Sequence, residues 1–104
     1  MTGPRLLVEA PAATELLDAI EYLEEQRANL GLRFEAAFWA TIDRVLAFPG
    51  ASPPLGENLR RCRIRGFRYT LVYEPTPELV RVIALQHDAR RPGYWRERLG
   101  AEDR

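Results

Sequence analysis

Apolar positions in this chain change period along its length, and the changes mark its elements. Residues 5–9 (RLLVE) form a short apolar run that reads as a first strand. Pro11 suits the first turn of a helix. Ala13, Leu16, Leu17, Ile20 and Leu23 then recur at helical spacing. Glu15, Asp18, Glu21, Glu24 and Glu25 cover the other face, and the pattern predicts a helix over 11–28. Asn29-Leu30-Gly31 is a stop, with Gly31 suited to a left-handed conformation. A second helix is predicted over 32–48. Its stripe is Phe34, Phe38, Thr41, Ile42 and Val45, widened by Ala37, Trp39 and Leu46. Trp39 is read as core in preference to the alternative, a partner-facing edge. So short a break between two helices implies an antiparallel hairpin.

Residues 51–58 (ASPPLGEN) read as a loop. Beyond it the period drops to two. In 59–64, Leu59, Arg61, Arg63 and Arg65 share one phase, and Arg60, Cys62, Ile64 and Gly66 the other. A tight Arg65-Gly66-Phe67 connection leads into a further strand over 67–74. After the 75–78 turn comes the longest strand, from Leu79. Val80, Val82 and Ala84 are expected on one face, with Arg81, Ile83, Leu85 and His87 on the other. Both faces are largely apolar, as in an interior strand. It delivers His87, Arg90, Arg91, Tyr94 and Trp95 to one end of the sheet. Residues 94–99 can form one or two helical turns, and 101–104 are expected to fray. The expectation is an α+β fold in one domain, residues 1–104: an N-terminal strand that can add to a sheet edge, a helical hairpin packed on an antiparallel sheet of three further strands, and a short C-terminal helix.

Composition narrows the function. With 46% hydrophobic and 29% charged residues the chain is ordinary for a water-soluble domain. No stretch reads as a membrane span or secretory leader, and Cys62 is the single cysteine, so a cytoplasmic protein is expected. One His and one Cys do not build a usual zinc site, and no phosphate-loop or dinucleotide glycine pattern is present; no metal or cofactor is expected. Cys62, mid-strand, reads as a buried small hydrophobe.

The zero net charge hides a segregation. Residues 1–59 hold 4 arginines against 9 carboxylates, whereas 60–98 hold 10 against 4. All 15 basic residues are arginine. Guanidinium forks suit carboxylate or phosphate, so the basic half points to an acidic partner or nucleic acid. Arg60, Arg61, Arg63, Arg65 and Arg90 are expected to form a positive surface opposite a negative hairpin.

The order of elements resembles the RelE/ParE superfamily of type II toxin–antitoxin toxins. EAPAATELLDAIEYLEEQ, LAFPG, GFRYTLVYE and above all VIALQHDARRPGYW carry the resemblance. The pattern His87, Arg90, Pro92, Tyr94, Trp95 is similar to the closing signature of ParE-like members. The resemblance implies a toxin neutralised by a cognate antitoxin, with a toxin–antitoxin hetero-oligomer as the expected assembly. In the ParE branch such toxins poison DNA gyrase by binding; in the RelE branch they cleave mRNA on the ribosome. The first is the preferred expectation and the second the alternative. Cleavage needs an acid–base pair and phosphate-binding cations; the candidates are His87, Tyr94, Arg65 and Arg90. The expected target surface is Arg63, Arg65, His87, Arg90, Tyr94 and Trp95; the alternative for Tyr94 and Trp95 is a hydrophobic plug that closes one end of the core. The expected antitoxin surface is Trp39, Arg61, Phe67 and Tyr69.

Overall fold

The computed structural model describes residues 3–102, the last three by backbone alone. Its elements are β1 (Arg5–Val8), α1 (Ala10–Gln26), α2 (Leu30–Ala47), β2 (Pro54–Leu55), β3 (Leu59–Arg63), β4 (Tyr69–Pro75), β5 (Leu79–His87) and α3 (Arg96–Glu102). The strands form one sheet in the order β1-β5-β4-β3-β2. β1 runs parallel to β5, and the other pairs are antiparallel. The sheet is therefore mixed, and β5 is an interior strand. The two-residue β2 falls in the stretch read as loop. α3 carries the helix through Glu102, past the expected fraying point at 101, and residues 103–104 lie outside the described residues.

α1 packs on β5, α2 packs beside α1 and reaches β3. One apolar cluster fills the space between hairpin and sheet, around Phe34, Phe38, Ile42, Leu71, Tyr73, Val80 and Val82. A second lies on the opposite sheet face, where Leu59, Val72, Ile83, Ala84 and Trp95 are buried. A sheet covered on both faces explains the near-continuous apolar run of β5.

Three local readings are corrected. α1 is rotated from its expected phase: Ala12, Leu16 and Ala19 are buried, while Leu17 is 67% exposed. Small alanines let the helix sit close to the sheet, and a wider stripe drawn through the leucines points past it. At the helix break, Asn29 rather than Gly31 takes the left-handed conformation, with φ 71°. Gly31 lies inside α2 because a Cβ there would stand 2.4 Å from the Ile20 carbonyl oxygen of α1. Trp39 is 42% exposed, its ring edge-on to buried Phe38 at 5.0 Å, so it sits at the rim and not in the core.

The strict alternation expected for β5 also breaks. Val72 of β4 pairs with Ala84, but Tyr73 pairs with Val82, leaving Ile83 as the extra residue of a bulge. The bulge shifts the phase. Ala84 joins Ile83 on the far face, and Leu85 joins Val80 and Val82 against the hairpin.

Candidate functional site

That phase shift shapes the sheet end where the basic and aromatic residues gather. Beyond the bulge, His87 lies on the hairpin side, its ring edge-on to Tyr69 at 4.8 Å, and Gln86 faces the other way. The Asp88 N–H donates to the Arg68 carbonyl at 2.9 Å, and the Arg90 N–H donates to the His87 carbonyl at 3.0 Å, so the chain turns back at once. Gly93 completes the turn at φ 77°, where a Cβ would also meet the Arg96 side chain at 2.8 Å.

Tyr94 and Trp95 both pack against the far-face cluster, but their polar ends part. Trp95 is 1% exposed in the far-face cluster, and its indole N–H donates to Gln86 Oε1 at 2.8 Å. It plugs the core there and presents no surface to a partner, contrary to its place in the expected target surface. Tyr94 reaches toward the hairpin and donates its hydroxyl hydrogen to Glu15 Oε2 at 2.5 Å.

Glu15 is the residue the sequence reading missed. Its carboxylate collects the Tyr94 hydroxyl, the Leu85 N–H at 3.0 Å and two guanidinium contacts from Arg98 at 3.2 and 2.9 Å. Arg90 approaches it at 3.7 Å, and its guanidinium lies 3.7 Å over the Tyr94 ring. Arg98 also donates to the Ile83 carbonyl at 2.9 Å, beside the bulge. Burial alone would push the Glu15 carboxyl up, but the hydrogen bonds from Arg98, Tyr94 and the Leu85 N–H outweigh it and hold the group below its ordinary range. Tyr94 moves the other way, raised by burial and by its bond to Glu15. Arg98 is raised by the same carboxylate. The sequence carried one faint signal for this role. Glu15 stands three residues after Ala12 and four before Ala19, both buried, so it flanks the inward face of the helix.

Beside this knot is an open cleft of about 190 Å³ lined by Glu15, Asp18, Tyr22, Tyr69, His87 and Arg90. His87 accepts the Ala89 N–H on Nδ1 at 2.9 Å, which leaves Nε2 to carry the proton of the neutral ring. Of the expected catalytic set, His87 and Arg90 thus share the cleft. Tyr94 is engaged with Glu15, and Arg65 is exposed at the β3–β4 turn. The cleft pairs two carboxylates with one arginine and one histidine, a poor seat for phosphate. Arg63 forms a two-pronged pair with Asp88, at 3.1 and 2.8 Å, in which the Arg63 bonds and charge hold the Asp88 carboxyl below its ordinary range.

The positive surface is narrower than expected. Arg60 donates to the Ser52 carbonyl at 2.6 Å, Arg63 is paired, and Arg90 is drawn to Glu15. The expected antitoxin set also divides. Phe67 and Tyr69 pack with Phe34 on the hairpin side, and Trp39 lies on α2. Arg61 pairs across from Val72 and faces the opposite side. Cys62 is half-buried at the margin of the first cluster. Among the described residues no group of acidic, histidine or cysteine side chains could hold a metal, and no helix is long and apolar enough to cross a membrane.

Comparison with known families decides what kind of protein carries this knot. Residues 6–92 match the family described as ParE toxin of type II toxin-antitoxin system, parDE. The chain belongs to the ParE toxin family. Toxin ParE2 of Mycobacterium tuberculosis, found alike in two strains, is 28% identical over 89 residues, 85% of each chain. A solved chain of the chromosomal ParDE TA system from P. aeruginosa superposes with a TM-score of 0.71 at 11% identity, covering 81% of this chain and 95% of that one. That likeness carries the fold. The ParE-family match extends through Pro92, so β5 and the turn after it belong to the shared region, while Tyr94 and Arg98 lie beyond it.

Proposed function

We propose that this ParE-family toxin acts by binding a protein target, such as DNA gyrase, without catalysis, and that a cognate cytoplasmic antitoxin neutralises it in a toxin–antitoxin hetero-oligomer. The observation that carries the first part is the Glu15–Tyr94 bond. The hydroxyl best placed to act as an acid is committed to a carboxylate and raised in pKa, and Arg98 is held by the same group. What the sheet end still offers is half-buried His87 and exposed Arg90, a recognition surface in this reading.

An antitoxin partner is supported by the hairpin's outer face. Leu17, Leu32 and Trp39 are 67%, 61% and 42% exposed and give a partner apolar side chains to cover. A partly disordered partner segment can fold onto such a face as a helix. The ParDE system of the structural neighbour is named for two components, in keeping with this reading.

The second reading, a ribosome-dependent mRNA endoribonuclease, draws on one observation, that His87 and Arg90 line a common cleft. Expression without antitoxin separates the two. Binding to gyrase induces the DNA-damage response with mRNA intact; ribonuclease action cleaves translated mRNA and leaves that response silent.

A further inference from the structure

On the sheet face away from the hairpin, a second cleft of about 210 Å³ lies between Arg61 of β3, Arg96 of α3, Gln86 and Thr70. Its polar lining is dominated by donors. Gln86 spends its oxygen on Trp95, which leaves its amide hydrogens. Arg61 and Arg96 are exposed, and among the described residues neither has a carboxylate within ion-pair distance. Arg96 instead rests 4.8 Å from the Trp95 ring. No Asp or Glu lines the cleft, and Leu55, Val72 and Pro92 supply apolar walls. Two uncompensated guanidinium groups beside apolar walls call for a ligand with an anion and a hydrocarbon part close together.

We infer that this cleft takes an acidic peptide segment of the toxin's protein target, one carboxylate seated between Arg61 and Arg96 and a neighbouring apolar side chain against Leu55 and Val72. The inference rests on the reading that the toxin acts by binding a protein. Arg63, two residues along the same face of β3, already takes a carboxylate in the two-pronged way, from Asp88. A nucleic-acid backbone fits less well. The adjoining hollow, which also touches Arg96, is lined by Glu57 and Glu74, so a longer polyanion would run into carboxylates. The chain as a whole carries no net positive charge. The antitoxin is assigned elsewhere because the exposed apolar residues of the hairpin lie on the other side of the sheet.

The test uses the purified full-length chain and three fluorescent probes of equal length: a short peptide with one Glu flanked by Leu, its Gln counterpart, and a single-stranded oligonucleotide. The Glu peptide binds best, weakens with salt, and loses about tenfold or more in affinity for the Arg61→Glu/Arg96→Glu variant. Arg33→Glu, an exposed change on α2, leaves binding unchanged. Circular dichroism verifies folding, and the milder Arg61→Gln/Arg96→Gln variant must weaken binding in the same direction. Equal binding of the Glu peptide to wild type and double variant overturns the inference, as does preference for the oligonucleotide. In cells, the double variant loses growth arrest but still co-purifies with the antitoxin. Lost co-purification with arrest intact assigns the cleft to the antitoxin and overturns the inference. A wild-type chain that binds the Glu peptide yet causes no arrest instead refutes the target-binding reading, so the two failures are told apart.

Discussion

Glu15 of the first helix and Tyr94 of the C-terminal segment stand 79 positions apart and meet through a hydrogen bond of 2.5 Å. With Arg98 on the same carboxylate, that contact joins the helical hairpin to the end of the sheet. Removing it strands charge. Glu15→Ala leaves Arg98, only a quarter exposed, without its partner. A fully buried pair broken this way costs about 3–5 kcal/mol, and the partial exposure of Arg98 lowers the expectation to roughly 2 kcal/mol. Urea unfolding measures it. Hydrogen exchange should show the largest loss of protection in residues 88–99, and uniform loss across the chain would refute the localised role.

The same pair gives the protein a pH signature at each end. The folded Glu15 carboxyl titrates below its ordinary value, so the unfolded chain takes up that proton first as pH falls. The stability it contributes is full above the ordinary value, near pH 4.3, and is lost as pH drops through the folded value. Tyr94 is raised, so its contribution is full below its ordinary value, near pH 10, and is lost as pH climbs through the folded one. Glu15→Gln should flatten the acid limb of a stability–pH curve. An unchanged acid limb in that variant would remove Glu15 from the account.

Gly31 makes a sharper packing prediction. Alanine there gains helix propensity but places its Cβ 2.4 Å from the Ile20 carbonyl oxygen, a backbone atom that cannot step aside alone. The hairpin must spread, and overpacking of this kind costs about 1–3 kcal/mol. A lowered urea midpoint is expected. A raised midpoint, the outcome that propensity alone dictates, would show that the helices are farther apart than described.

Leu16 and Leu17 are neighbours in sequence with opposite roles. Leu16 is 9% exposed, and its replacement by Ala should cost about 2–5 kcal/mol of stability. Leu17 is 67% exposed, and Leu17→Ala should stay within about 0.5 kcal/mol. Its effect should appear instead as weaker antitoxin binding, together with Trp39→Ala, in a calorimetric titration of the complex. Tight binding by both variants would move the antitoxin off this face.

How far the chain could be read follows from which signals are local. Helical spacing and alternation are local, so the element order was legible, as was the burial of Phe34, Phe38, Ile42 and Val45. The rotation of α1 was not, because Ala12 and Ala19 carry little hydrophobic weight and owe their burial to the closeness of β5. The β5 bulge depends on pairing with β4, and it alone decides that Leu85 and His87 face the hairpin. Glu15 was hidden for a different reason. A carboxylate on a helix's polar side looks like every other one until the chain brings Tyr94 and Arg98 back to it. The arginine row of β3 was plain in sequence, but only the fold separates paired Arg63 from open Arg61.

His87 tests the mechanism directly. Its ring rests edge-on against Tyr69 and accepts a backbone N–H, contacts that orient it without engaging an acid or base partner. If the toxin works by binding, His87→Ala removes one surface group and growth arrest persists, weakened at most severalfold. A general acid or base would supply about 10²–10⁴ in rate, so its loss would abolish arrest outright. Arg90→Glu is the necessary companion. It reverses the exposed charge at the same cleft and should impair arrest under a binding mechanism while His87→Ala does not. Both variants must be scored with antitoxin co-purification as the sign of correct folding. Arrest lost in His87→Ala, retained in Arg90→Glu and accompanied by loss of mRNA cleavage would establish the ribonuclease reading instead.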